Sequence, residues 1–231
     1  MLSLYGKLPT AGDFLSVEVP RPLLRPLEDW LSASVATSRD NVEGDWTDIF
    51  DKAPVWSFWI GENVLGRRMA GVLRMSRDKV GRRFPVVLFA SSEDRNAVAE
   101  APVIDSDWQF YRDLGEELTY LAGLAPDEIS ERLKSAGAPA GGLGEPITDP
   151  EPSKSFWAVA PESGEAGWQA MIEDAAAVDH TQATANRSYW WTPEGAGSNA
   201  ALFSTEGLPD PHVFAWFLTG LGEQGFANQE E

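Results

Sequence analysis

The chain has 231 residues, no cysteine, 10 tryptophans and a formal charge of -18. A chain of this length buries roughly 70–75% of its unfolded surface on folding, and the missing thiols exclude disulfides, thiolate zinc sites and cysteine nucleophiles. No run approaches the ~18–20 apolar residues of a membrane span, and no basic stretch followed by an apolar core and a cleavage site opens the sequence, so a cytoplasmic location without membrane insertion is expected.

Residues 2–5 read as a short first strand. Residues 22–38 place Leu23, Leu24, Leu27, Trp30 and Leu31 at helical spacing, with prolines in the first turns, where a missing N–H is tolerated. Residues 43–52 make a shorter helix with Trp46, Ile49 and Phe50 on one face. Three strands follow at 55–60, 69–75 and 84–90. Their short links predict an antiparallel meander, because parallel neighbours need a crossover of about a dozen residues. A helix at 107–121 has Asp105 or Ser106 as its N-cap, and a second runs over 126–135. Residues 137–152 (GAPAGGLGEPITDPEP) read as a linker or long surface loop. Beyond it come a strand at 155–160, a helix at 166–178, strands at 188–192 and 200–205, a last helix at 211–220 and a frayed tail at 223–231. The pattern predicts a single α/β (α+β) domain, a three-layer-like sandwich of helices around a mainly antiparallel sheet. Its core is 1–136, its loop 137–153, and 154–222 continues the same domain.

Charge is distributed unevenly. Residues 1–95 hold as many basic as acidic side chains, so the acidic excess falls on 96–231. Such a half repels a phosphate backbone and argues against nucleic-acid binding. In the neutral half Arg67, Arg68, Arg74, Arg77, Lys79, Arg82 and Arg83 are opposed only by Asp78. They form either a solvated hairpin or a docking patch for an acidic or phosphorylated partner. His180 and His212 belong to no metal motif, there is no G-x-S-x-G elbow, and no two carboxylates are singled out for acid–base work. Residues 61–68 (GENVLGRR) have the glycine spacing of a phosphate loop. Arg67 and Arg68, however, replace its lysine and its metal-binding hydroxyl, and a strand follows where a helix must start, so the segment reads as a hairpin turn. No catalytic residue, metal or cofactor is expected.

Two runs carry most of the functional signal: YGKLPTAGDFL at 5–15 and MSRDKVGRRFPV at 75–86. Each sets charge on a backbone bend beside a hydrophobic strand, which is the profile of a recognition surface. The first presents Lys7 and Asp13, the second Ser76, Arg77, Asp78 and Arg82. If the first strand joins the sheet, the two turns meet at one edge and Asp13 or Asp78 pairs with Arg82. That cluster either pins two loops or contacts a partner. Trp190 and Trp191 are adjacent and point to opposite faces of a strand. One of them is expected near the surface or under a loop. Either the rings cover both faces of a sandwiched sheet, or one is an aromatic anchor at an interface.

These runs, with PRPLLRPLEDW at 20–30, APVWSFWI at 53–60, AGVLRMSRDKVGRRFPV at 70–86 and SYWWT at 188–192, resemble the TagF (also ImpM) family of type VI secretion-associated proteins. The likeness keeps its order over most of the chain and is strongest over residues 4–88. Arg74-Met75 stands where a proline commonly precedes the serine, and the acidic 137–152 region departs from the family pattern. The resemblance implies a compact α/β sandwich and a cytoplasmic regulator rather than an enzyme. Such a protein represses assembly of the secretion apparatus by binding a scaffold that bears a forkhead-associated domain. The residues themselves leave a competing reading, an anion- or phosphate-binding sensor or enzyme accessory that uses Lys7, Arg77 and Arg82 within the basic hairpin 67–83.

Overall fold

The central strands are apolar at successive positions, so neither face of a sheet built from them can be left to water. In a computed structural model, which describes residues 2–92, 101, 108–135, 183–193 and 200–220, both faces are covered. Strands β1 (Leu2–Gly6), β2 (Leu15–Val17), β3 (Trp56–Ile60), β4 (Arg68–Arg74), β5 (Val86–Ser92), β6 (Arg187–Thr192) and β7 (Ala201–Glu206) form one sheet. Its order is β2-β1-β5-β4-β3-β6-β7, and every neighbouring pair is antiparallel. The expected meander is β3-β4-β5.

Helices α1 (Arg21–Asn41), α2 (Trp46–Lys52) and α6 (Phe214–Thr219) cover one face. There Leu27, Trp30, Phe50 and Phe217 pack on Trp56, Phe58, Leu73 and Trp190. Helices α4 (Trp108–Leu121) and α5 (Pro126–Ser135) cover the other. There Leu114, Leu118 and Ile129 pack on Leu4, Val72, Leu88 and Trp191. Strand alternation divides the core cleanly: Ala70 and Val72 of β4 face α4, while Met69 and Leu73 face α1. The result is a single mixed α/β domain in three layers.

Local chemistry accounts for the differences from expectation. Helix α2 starts at Trp46 rather than residue 43, because the Asp45 carboxylate accepts the N–H groups of Thr47 and Asp48 at 2.9 and 3.4 Å. Residues 61–68 are more than a hairpin turn, since a one-turn helix, α3 (Glu62–Leu65), bridges β3 and β4. β2 was not expected; three residues are too few to show an alternation. The last helix is preceded by a 3-10 turn at Pro211–Val213, capped by Asp210. The expected loop 137–152, the strand 155–160, the helix 166–178, the tail 223–231, His180 and the caps Asp105 and Ser106 lie outside the described residues.

Candidate functional site

β1 lies beside β5 with Gly6 opposite Val86, so the run leaving β1 and the run entering β5 lie together. Gly6 makes this possible: its φ is 134°, and a Cβ there would stand 2.2 Å from the Pro85 carbonyl oxygen. The two turns are then tied through Asp78. Lys7 Nζ and Arg82 Nε donate to Asp78 Oδ2 at 3.0 and 2.6 Å. The N–H groups of Arg82 and Val80 donate to Oδ1 at 2.9 and 3.1 Å. Two further bonds close the seam, from Lys79 N–H to the Ala11 carbonyl at 2.8 Å and from Arg82 Nη2 to the Gly12 carbonyl at 2.7 Å.

Burial alone would push the Asp78 pKa up. The hydrogen bonds from the Arg82 backbone, from Lys7 and from the Arg82 side chain, together with the Lys7 charge, outweigh it and hold the carboxyl well below its ordinary range. Lys7 is itself only 6% exposed, and its ammonium lies 4.7 Å from the centre of the Phe14 ring. Phe14 packs on Phe84 and Tyr5, with ring centres 4.8 and 6.0 Å away. Burial, reinforced by the charge and hydrogen bond of Glu28, pushes the Tyr5 hydroxyl up to about 12.

Of the two carboxylates expected to meet Arg82, Asp78 does so and Asp13 does not. Asp13 is exposed, and its Oδ1 accepts the adjacent Phe14 N–H at 2.9 Å. Ser76 frames the second turn through its carbonyl, which accepts the Phe84 N–H at 3.0 Å. Arg77 turns away to Asp51, 4.0 Å off, which Arg83 grips with Nε and Nη2 at 2.9 and 2.6 Å. The bond from Arg83 holds the Asp51 carboxyl below its usual range. Asp51 was missed by sequence reasoning, since no local spacing links it to residue 83.

The basic run therefore does not gather into one pocket. Arg68 is buried near Glu62 and over the Trp59 ring, Arg74 lies on the α4 side by Thr119, and Arg82 belongs to Asp78. Of the two arrangements open to Trp190 and Trp191, the structure shows rings that cover the two faces of a sandwiched sheet, and neither lies near the surface. Both are buried, because helices cover both faces of β6. Trp190 stacks on Phe58 at 4.9 Å and Trp191 meets Tyr111 edge-on at 4.6 Å. β3 and β4 separate them from β5 and the turn pair.

The turn pair leaves Phe14 at 40% and Val80 at 72% exposure, with Arg77, Lys79 and Arg82 also reaching solvent. It offers a rigid, cationic, partly apolar surface. Among the described residues no three potential metal ligands are grouped, and no helix is long and apolar enough to cross a membrane. His212 meets Asn41 Nδ2 at 2.9 Å on the exposed rim.

Residues 3–135 match the family model of the TagF N-terminal domain, type VI secretion system-associated. The crystal structure of PA0076 from Pseudomonas aeruginosa PAO1 is similar in fold, with a TM-score of 0.72 at 25% identity over 96% of each chain. A search of curated proteins gives no match. With the GKLP–GDF and RDKVGRRFP runs meeting at Asp78 inside the matched region, this chain belongs to the TagF N-terminal domain family of type VI secretion system-associated proteins.

Proposed function

We propose that the protein is a cytoplasmic regulator that represses assembly of a type VI secretion system, acting by binding rather than by catalysis. Its partner is a scaffold protein bearing a forkhead-associated domain. The observation that carries this reading is the seam at Asp78, which fixes two turns and holds Phe14, Val80 and Lys79 outward on a rigid base. Preorganised surface loses little entropy on association. Exposed apolar side chains ringed by cations suit a partner with an acidic rim. Occupying the scaffold one-to-one withholds it from the machine. The basic residues of 67–83 are dispersed and largely paired with carboxylates, so no observation favours the anion sensor.

Calorimetry between this protein and the scaffold from the same secretion locus tests the proposal. Lys79→Glu/Val80→Asp changes only exposed side chains, so folding, checked by circular dichroism, is expected to persist. One-to-one binding that this variant loses by at least about tenfold is the expected result. Absence of binding by the wild type, with phosphorylated and unphosphorylated scaffold alike, removes the titration mechanism.

A further inference from the structure

Four of the six exposed large hydrophobics among the described residues, Val55, Trp108, Tyr120 and Leu202, lie on the α4 side of the sheet. The first three line a groove of about 1070 Å³ between α4 and the ends of β3, β4 and β6. Leu202 stands opposite Trp191 in the β6–β7 pair, so it shares that face. Apolar surface of this kind, gathered in one place, marks an association site more often than chance exposure does.

Helix α4 turns a patterned ridge towards the groove. Residues four apart stack along one row of a helix, so Trp108, Arg112, Glu116 and Tyr120 form a single ridge about 18 Å long. All four line the groove. The row beside the ridge holds Gly115 and Thr119, and no described atom lies within 4 Å of where a Gly115 Cβ would be, so an open furrow runs along it. Read in either direction, the ridge is an aromatic ring, two opposite charges and an aromatic ring, with the charges exchanged. Within its own chain Arg112 donates to Gln109 Oε1 at 2.8 Å rather than to Glu116. The other cations nearby are engaged. Lys52 is held by Asp48 at 2.7 Å, and Arg132, over the Tyr120 ring, by Glu117 at 2.7 and 2.8 Å.

We propose that this face joins two copies of the chain in a two-fold dimer, with α4 antiparallel to its counterpart. Trp108 then meets Tyr120 of the second copy and Arg112 meets Glu116 of the second copy, and the two-fold axis repeats both contacts. Ridges of four-residue spacing interlock at about −50°, each seated in the furrow along Gly115 and Thr119. The second copy's helix also covers Val55 and Leu202, which α4 leaves open. The charge order is what selects a second copy. A parallel pair sets Arg112 on Arg112 and Glu116 on Glu116, an apolar peptide matches neither charge, and a peptide of one sign matches only one. Each copy carries a formal charge of -18, which opposes self-association at low salt, so apolar burial and the two matched pairs have to outweigh it. The face shares no residue with the turn pair, so the proposal stands apart from the scaffold reading.

Sedimentation equilibrium on the full chain tests it, at an ionic strength of about 0.15 M, where the Debye length is about 8 Å. A dimer with a dissociation constant on the order of 10 μM is expected. Arg112 and Glu116 are exposed, so Arg112→Glu and Glu116→Arg are expected to fold, which circular dichroism checks. Each change alone sets like charges against one another twice across the axis and is expected to weaken the dimer at least about tenfold. Mixing the two variants in equal amounts recreates both matched pairs and is expected to restore association, as is combining both changes in one chain. A wild type that stays monomeric up to about 100 μM overturns the proposal. So does a dimer that survives unweakened in either single variant, or a loss that neither the mixture nor the double variant reverses.

Discussion

On the α1 side of the sheet the buried indoles are satisfied. Trp30 Nε1 donates to the Pro209 carbonyl at 2.8 Å and Trp56 Nε1 to the Phe217 carbonyl at 2.9 Å. Trp190 Nε1 donates to Ser188 Oγ at 3.0 Å, and that hydroxyl in turn donates to the Gly207 carbonyl at 2.6 Å. On the α4 side Trp191, the next residue, has no such partner among the described residues. One residue of strand separates a closed hydrogen-bond chain from an open donor. The Asp78 seam belongs with the closed side: four donors converge on one carboxylate and none of its oxygens is left idle. The contrast is between two neighbouring indoles rather than between two faces, since the Ser34 hydroxyl of α1 and the Thr10 hydroxyl in the first turn are also buried without a partner among the described residues.

The largest effect is expected at the closed side. Asp78→Ala strands a buried Lys7 without its counter-charge and leaves its other donors unpaired, so it should lower the thermal midpoint more than any other substitution named here. A wild-type melting curve for that variant would falsify the seam as a structural pin. The folded-state pKa of Asp78 lies below its unfolded value, so its contribution is complete above the ordinary 3.8 and fades as pH falls beneath it. Wild type is therefore expected to lose stability on acidification below about pH 4 more steeply than Asp78→Asn does, read by denaturant titration at several pH values. Tyr5 works in the opposite direction. Its folded pKa is raised from 10.0 to about 12, so its contribution is intact below 10 and lost as pH climbs towards 12. Tyr5→Phe should flatten that alkaline decline.

The two neighbouring tryptophans sharpen the contrast. Trp190→Phe and Trp191→Phe remove the same volume from opposite faces, but only the first breaks a hydrogen bond. Trp190→Phe should cost about 1 kcal/mol more by chemical denaturation. Equal costs would mean that Trp191 is as well satisfied as its neighbour. The smallest effect, and the only gain, is expected at Gly115: replacing it by alanine should stabilise the fold by about 0.5–1 kcal/mol.

The sequence makes the scaffold legible where periodicity is strong. Residues 55–60, 69–75 and 84–90 announce the β3-β4-β5 meander because each is an apolar run between turn residues. The Asp78–Arg82 pairing was within reach because both partners lie in one turn. The burial of Lys7 was not, since it depends on β1 pairing with β5 across about eighty residues of chain. Asp51 escaped for the same reason, being supplied by α2 to a turn some thirty residues onward. The groove left no local trace either. Trp191, Val72 and Gly115 come from β6, β4 and α4, and only the packing of α4 on the sheet brings them to one groove. One residue of the pair at 190–191 was expected near the surface or under a loop; α4 and α6 cover both faces of β6 instead, the other arrangement the sequence allowed.

β6 lies next to β3 although more than a hundred residues of chain separate them. The stretch that matches the family model ends at residue 135, before β6 begins. A chain released to that point presents β3 as an unpaired edge, with Trp56 and Phe58 lacking the Phe217 and Trp190 rings they stack against. During synthesis the first half must therefore wait, with an adhesive strand open to its neighbours, until the last aromatic residues leave the ribosome. The segment that carries the family signature thus has one sheet edge that only later residues close.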